Sequence, residues 1–353
     1  PPCARRGAPR LLLEQAADEL DQGQPERALS CAEEALRDAP RLVAGLRLRA
    51  EALSDLDRLD EARLALSRAL AIEPDDAETL YDAAQLYVAR LPGERAMLEL
   101  GLEYALRGVR AVERAARPDR ELSGGLFLFA AMAENDLGES RDALAHAERA
   151  RALRPDDLDA EYERGVALYE LCRFSEARQA LERVRAQEPD DAWTLHYLSL
   201  VAERTGHGGR AEELERRART LAPDAFARGV TIDRGSFEAE VHRAVAALPE
   251  GERRALATVP VEMADVPALD DLTAVDPPLS PSILGLFRGP SEGERCLPED
   301  GPRCRSVVLY RLNLARFART RAELTEQIRV TLLHELGHLH GESDEELRAR
   351  GLE

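Results

Sequence analysis

From about residue 8 to residue 228 the chain reads as short amphipathic helices whose small residues recur at a fixed period. Proline stands at Pro40, Pro74, Pro118, Pro155, Pro189 and Pro223, with spacings of 34, 44, 37, 34 and 34 residues. Twelve positions before five of these prolines is an alanine: Ala28, Ala62, Ala143, Ala177 and Ala211. Five before them stands Ala35, Ala69, Ala150, Val184 or Ala218, and twenty-four before them Ala16, Ala50, Ala131, Gly165 or Ser199. Small side chains at fixed places let paired helices approach closely, and each proline ends the second helix of a pair. The acids after the prolines, as in Pro74-Asp75-Asp76, Pro155-Asp156-Asp157 and Pro189-Asp190-Asp191, suit the start of the next helix. About six helix pairs are expected, with ten extra residues around Arg90-Leu91-Pro92-Gly93 lengthening the pair before Pro118.

Helical periodicity lapses between residues 222 and 235, and the pattern then changes. Ser236 is placed to cap a helix over 237–248 that Pro249 ends. Residues 259–266 alternate as a strand whose proline favours a start or an edge. A proline-rich loop from Pro267 to Pro281 precedes a second strand at 283–289 and a third at 306–312. Good helix formers from Ala322 onward lead into a long helix, and residues 344–352 form a short terminal one. The expected architecture is mainly α: a helical-repeat α-solenoid over 8–228, then a small α+β domain over 235–353.

The long helix holds the chemistry. Of the 7 histidines in 353 residues, three fall between 334 and 340, in His334-Glu335-Leu336-Gly337-His338-Leu339-His340. Positions i and i+4 share one helix face, so His334 and His338 can present nitrogens to one cation. Glu335 lies about 100° round the helix, within reach of a water on that cation without being a ligand. Gly341 can take a left-handed conformation and turn the chain, bringing Asp344 back as third ligand. Three protein ligands with one open position is the pattern of a catalytic zinc, Zn2+, rather than a structural one. His340 and Glu345 compete for the third place, although His340, two residues from His338, points elsewhere while the helix continues.

Composition narrows the partners. The net charge is −19 and all 48 basic residues are arginine, with no basic tract, which argues against nucleic acid or an anionic membrane. No apolar run reaches the length of a transmembrane helix. The chain shows no signal peptide but begins at Pro1 without methionine; a cytoplasmic location is the expectation, with an exported form left open. Cys31 and Cys172 read as small buried hydrophobes within helices. Cys296 and Cys304 bracket a turn-rich loop that would close into a disulfide on export, and a reduced pair is expected. His146, His196 and His207 look structural or exposed.

The repeat resembles the tetratricopeptide repeat, whose period is 34 residues, with leucine at positions such as Leu66 and Leu181 where that family often has an aromatic. The resemblance implies stacked helix pairs with a concave face that binds a protein partner. The C-terminal third resembles the minimal-zincin metallopeptidases. It does so in Phe237 and Ala247-Leu248-Pro249, in Leu284-Gly285-Leu286-Phe287-Arg288-Gly289, in Val308-Leu309-Tyr310-Arg311, and from Arg329 through the histidine motif to Ser343-Asp344-Glu345. Membership would imply a metal held by His334, His338 and Asp344, with Glu335 as catalytic base in peptide-bond hydrolysis. An extended peptide or protein substrate would pair with a strand at 283–287 or 306–311. Tyr310 is a candidate for stabilising the oxyanion if it points into the cleft.

Three readings compete. One is a metallopeptidase whose repeats recruit a protein substrate or regulator. The second is a repeat-based interaction protein with a weakly active or inactive metal-binding module; the intact Glu335 argues against it, because a structural metal needs no base. The third is an amidase similar to peptide deformylase with Cys296 as a ligand, though the glycine and glutamine context of that family is missing.

Overall fold

In the computed structural model the structure describes Cys3 and residues 8–91, 93–296 and 304–352. Pro92 of the expected insertion and residues 297–303 of the cysteine-bracketed loop lie outside the described residues. Six helix pairs stand in succession: α1 (Pro9–Asp21) with α2 (Pro25–Asp38), α3 (Val43–Asp55) with α4 (Leu59–Ile72), and α5 (Ala77–Gln85) with α6 (Arg95–Glu113). Then come α7 (Arg120–Leu137) with α8 (Ser140–Leu153), α9 (Leu158–Glu170) with α10 (Phe174–Gln187), and α11 (Ala192–Arg204) with α12 (Gly208–Leu221). Five of the six periodic prolines stand two residues past the second helix of a pair, as expected from a residue that cannot continue it.

The small positions are where helices touch. Ala28, Ala35, Ala62, Ala69, Ala143, Ala150 and Ala177 are all fully buried. A Cβ on Gly165 would come within 2.8 Å of the Leu181 side chain, so the α9 and α10 backbones pack closer than any larger residue permits. The acids after the prolines do cap. Asp76 accepts from the Thr79 N–H at 2.9 Å, Asp157 from Ala160 at 3.1 Å and Asp191 from Thr194 at 2.7 Å. The insertion forms a π-helical turn, Leu86–Arg90, that prolongs α5, and a 19-residue α6.

By compactness the chain divides into two units. Residues to Leu168 with Ser175–Gln187 form one; Tyr169–Phe174 with the chain from Glu188 form the other. The last helix pair, α11 and α12, thus groups with the C-terminal elements, ahead of the boundary drawn near residue 228. In this second unit the polypeptide continues through α13 (Arg234–Ala247), α14 (Glu250–Leu256), β1 (Val261–Ala264), α15 (Leu269–Leu272), β2 (Gly285–Arg288) and β3 (Ser306–Tyr310). It ends with α16 (Arg311–Phe317), α17 (Arg321–Leu339) and α18 (Asp344–Ala349). The cap of α13 is Asp233, whose carboxylate accepts the Ser236 N–H at 2.9 Å, not Ser236. The short α14, α15 and α16 carry too few turns to show a period in sequence.

The sheet order is β1-β3-β2, with β1 parallel and β2 antiparallel to β3. Alternation then sorts the two faces. Val261, Met263, Val307, Leu309 and Phe287 pack with Phe237, Val241, Ile328, Leu332 and Leu336 in one core between the sheet and helices α13 and α17. Arg288 lies on the opposite face, with bidentate bonds to Asp271 (3.0 and 2.6 Å) and a contact to Glu262 at 3.1 Å. Arg311 bonds Asp265 at 2.8 Å and the Ile232 carbonyl at 2.6 Å, joining α16 to β1 and to the segment before α13. No helix among the described residues is long and apolar enough to cross a membrane.

Two cysteine expectations change. Cys31 is buried but bonded to Cys3, and Cys296 is bonded to Cys304 where a reduced pair was expected. Cys3 and Cys31 stand 28 residues apart, a pairing that spacing alone does not reveal, whereas Cys296 and Cys304 are the two ends of one short loop. Cys172 is the free cysteine, half-buried, in the turn between α9 and α10 rather than within a helix. Alkylation of unfolded protein without reductant should modify one thiol per chain, and five after reduction. Mass spectrometry showing five modified thiols before reduction would sink both pairings.

Candidate metal centre

Helix α17 and the turn after it place the motif. His340 ends the helix, Gly341 adopts φ +87°, and the Glu342 N–H bonds back to the Gly337 carbonyl at 2.9 Å. This is the glycine-dependent reversal anticipated from the sequence. Ser343 then caps α18 in a reciprocal box with Glu346, which fixes Asp344 as the first residue of that helix. Leu347 anchors α18 against Gly337, where any Cβ would collide with its side chain. A side chain larger than hydrogen at 337 would force the Leu347 side chain, the anchor of α18, to shift.

The outcome is a convergence of three donors. His334 Nε2 lies 3.1 Å from His338 Nε2, and Asp344 Oδ1 lies 3.5 and 3.2 Å from the two nitrogens. Among the described residues His334, His338 and Asp344 form a group able to hold a metal ion. Tetrahedral coordination with bonds of about 2.0–2.1 Å puts ligand atoms about 3.3 Å apart, so the spacing fits. The tautomers fit as well. His334 Nδ1 lies 2.6 Å from the Leu352 carbonyl and His338 Nδ1 lies 3.0 Å from the Glu342 carbonyl. A carbonyl only accepts, so each Nδ1 carries the proton and both Nε2 lone pairs face the shared point. Two converging lone pairs and a carboxylate call for a cation.

Glu335 lies beside this group, 6% exposed, with Oε2 accepting the Phe287 N–H at 2.7 Å. Burial pushes its carboxyl up to about 7, against the lowering effect of His334 and of the Phe287 N–H. Strand β2 can come this close because residue 285 is glycine. A Cβ there would stand 2.6 Å from Thr331 Cγ2 and 3.0 Å from Glu335 Oε1. The register leaves β2 as an edge strand. The Leu284 carbonyl accepts from the Tyr310 N–H at 3.0 Å, so alternate residues bond β3, while Gly285 and Phe287 turn their backbone groups outward.

Comparisons with known proteins bear on both parts of the chain. A family model described as "Zincin-like metallopeptidase" matches residues 256–352. Two described as "Tetratricopeptide repeat" match 13–77 and 135–201. The chain joins tetratricopeptide repeats to a zincin-like metallopeptidase domain. Among solved structures it is similar to PilW, a type IV pilus biogenesis factor, at 19% identity and TM-score 0.52, covering 62% of this chain and 96% of that one. It is also similar to pilF of Pseudomonas aeruginosa, at 16% identity and TM-score 0.50, covering 66% and 97%. At these identities the likeness shows the fold alone. No curated protein matches the chain. The zincin-like family implies a divalent metal.

The remaining candidates in the zincin-like domain fall outside the centre. His340 turns away, with Nδ1 3.1 Å from Glu292 and Nε2 3.6 Å from Glu252, and Glu345 is exposed and not in the three-donor group. Cys296 is bonded to Cys304 and is not a ligand in that group. Tyr310 is fully buried on the sheet face of Arg288, does not line the cleft beside Glu335, and is pushed up to about 12 by burial. Strand 306–310 is the central strand, so of the two strands expected to pair with an added peptide β2 is the one at an edge. In the repeats, His146 bonds Glu134 at 2.7 Å, His196 bonds Glu215 at 2.9 Å, and His207 precedes α12 as an exposed residue.

Sequence reading missed the groups that hold the ligands: the Leu352 and Glu342 carbonyls, the Phe287 N–H and Gly285. Backbone donors carry no residue signature, but a glycine inside an apolar strand is a sign of close approach.

Two consequences can be measured. Removing the chain from Leu352 onward deletes the acceptor of His334 Nδ1 and should weaken metal affinity about 10–100-fold, read by competition with a chromogenic chelator. Unchanged affinity would mean that this carbonyl does not orient the ring. In metal-free protein the raised Glu335 costs stability as pH climbs from its unfolded value of 4.5 through about 7. Glu335→Gln should therefore gain on wild type by ~3 kcal/mol above pH 7, the gain shrinking toward zero near pH 4.5. Urea unfolding in chelator at several pH values checks this; a pH-independent difference contradicts it.

Proposed function

We propose that the chain is a zinc-dependent peptidase in which His334, His338 and Asp344 hold the metal and Glu335 is the general base. One observation carries the reading: three converged donors lie beside a buried carboxylate at the outer edge of β2, so ion, base and substrate register share one cleft. Zinc, when bound, supplies Lewis acidity toward a scissile carbonyl and toward water. Glu335 takes the proton of the attacking water and delivers it to the leaving amine nitrogen. An intermediate pKa suits both duties, because a strong base would not release the proton again.

The outward N–H and carbonyl of Gly285 and the outward carbonyl of Phe287 are placed to hold an extended peptide as an added strand, the Phe287 N–H being taken by Glu335. Recruitment falls to the repeats. The first helices of consecutive pairs, α3, α5 and α7, line a cavity of about 560 Å³ with Arg47, Glu51, Asp55, Glu78, Tyr81 and Asp82 on its walls. Such a surface supports docking of a protein segment. The pairings Cys3–Cys31 and Cys296–Cys304 favour an oxidising compartment over the cytoplasm expected from the sequence.

The test is metal content and peptide hydrolysis of the full chain, with Asp344→Ala and Glu335→Gln beside wild type. Near one zinc per chain is expected for wild type and Glu335→Gln, and a large loss for Asp344→Ala. Hydrolysis should fall by three or more orders of magnitude in Glu335→Gln, on the order of 4 kcal/mol of barrier. Full zinc with no hydrolysis of any peptide by wild type would instead make the domain a metal-stabilised interaction module.

A further inference from the structure

The cleft beside Glu335 is markedly one-sided in its chemistry. It encloses about 500 Å³, within the range that takes a side chain with its flanking backbone. Helix α17 contributes Gln327, Thr331, His334, Glu335 and His338, spaced so that they share one face. Asp344 of α18 lies with them, and the residues of the opposite wall, from the 275–284 segment and β2, are apolar: Val275, Leu279, Ile283, Leu284, Leu286 and Phe287. Val275 is 50% exposed and Leu279 and Ile283 are half-buried, so this apolar surface faces the opening rather than the core. Gln327 is the one uncharged amide of the lining, and it lies two helical turns from His334, far from the reacting centre.

That wall is also held. Asn313 of α16 donates to the carbonyls of Pro281 and Ile283 at 3.0 and 2.7 Å. The Cys172 thiol lies 3.7 Å from the Leu279 carbonyl, and Arg204 of α11 donates to the Pro267 carbonyl at 2.5 Å. Arg288 clamps Asp271 from the sheet side. A segment held by Asn313 and Cys172, with the residues leading into it held by Arg204 and Arg288, keeps its shape when substrate arrives, so its apolar side chains can select among substrates.

Resting on the peptidase reading, we propose that the substrates are polypeptides with a large aliphatic or aromatic residue flanking the cleaved bond, and that Val275, Leu279 and Ile283 determine this specificity. A charged residue against Val275, Leu279 and Ile283 would lose its hydration there, because the cleft's carboxylates, Glu335 and Asp344, stand on the side of the metal centre. An alanine would leave most of the apolar surface uncovered. A leucine or phenylalanine covers it while its backbone pairs with Gly285 and the Phe287 carbonyl.

The experiment uses the full chain with zinc and a pool of blocked pentapeptides, Ala-Ala-Xaa-Ala-Ala, with Xaa leucine, phenylalanine, alanine, aspartate or arginine. Relative kcat/KM is read by mass spectrometry in competition, and binding of the same peptides to Glu335→Gln is read by calorimetry. Leucine and phenylalanine should lead alanine by about tenfold to a hundredfold in both readouts, and the charged residues by more. Val275→Asp, at an exposed position, should lower the leucine preference and raise arginine, a gain that misfolding cannot mimic. Ile283→Ser should lower the leucine preference alone. Cleavage with a flat profile overturns the pocket assignment and leaves the peptidase reading standing. Apolar-selective binding with no cleavage overturns the peptidase reading and leaves the pocket. A preference unmoved by either wall substitution overturns the assignment to these residues.

Discussion

The close approach of strand β2 to helix α17 is the constraint on which the site depends. It is possible only because residue 285 has no side chain, and it does three things at once. It shuts Glu335 away from bulk water, which is the cause of its raised pKa. It gives that carboxylate a fixed partner in the Phe287 N–H. It also sets an open strand edge alongside the two histidines, so the groups that would bind a peptide and the groups that would act on it cannot drift apart. A longer distance would leave an ordinary solvated glutamate beside an ordinary histidine pair.

Around this contact the structure relies on backbone more than on side chains. The Leu352 and Glu342 carbonyls set the two histidine tautomers, and the capping box at Ser343 sets Asp344. The arginines of the zincin-like motif serve the frame. Arg288 ties β2 to α15 and β1, and Arg311 ties α16 to the end of β1. Gly289, at φ +104°, passes so near the Cys304 carbonyl that any Cβ would collide. Thus the Leu-Gly-Leu-Phe-Arg-Gly run is one device: a glycine for approach, an amide for the base, an arginine for the frame and a glycine for the turn.

The last helix pair belongs physically to this frame. Glu203 of α11 accepts two bonds from Arg316 of α16, at 3.0 and 2.9 Å, and Arg204 holds the Pro267 carbonyl at the start of the loop that leads to the cleft wall. Compactness accordingly assigns α11 and α12 to the same unit as the zincin-like domain, although their sequence is that of a repeat. The repeat pattern reports how helices pair with their neighbours in the chain. It is silent on which outer surface meets another element.

Much of the molecule is legible in the sequence by itself. Helix pairs, the caps after Pro74, Pro155 and Pro189, three strands, the Gly341 reversal and the candidacy of His334, Glu335, His338 and Asp344 all come from local rules: periodicity, turn chemistry and spacing on a helix. Those rules act over a few residues, so a linear sequence displays them. The features that only the tertiary structure decided involve residues distant in the chain. It shows β2 as the edge and β3 as the centre, Tyr310 buried away from the cleft, and Cys31 meeting Cys3. It also brings the Leu352 carbonyl to His334 and the 275–284 wall opposite α17. Each depends on which surfaces meet once several elements have packed, and backbone groups, identical at every position, leave no trace of that choice in the sequence.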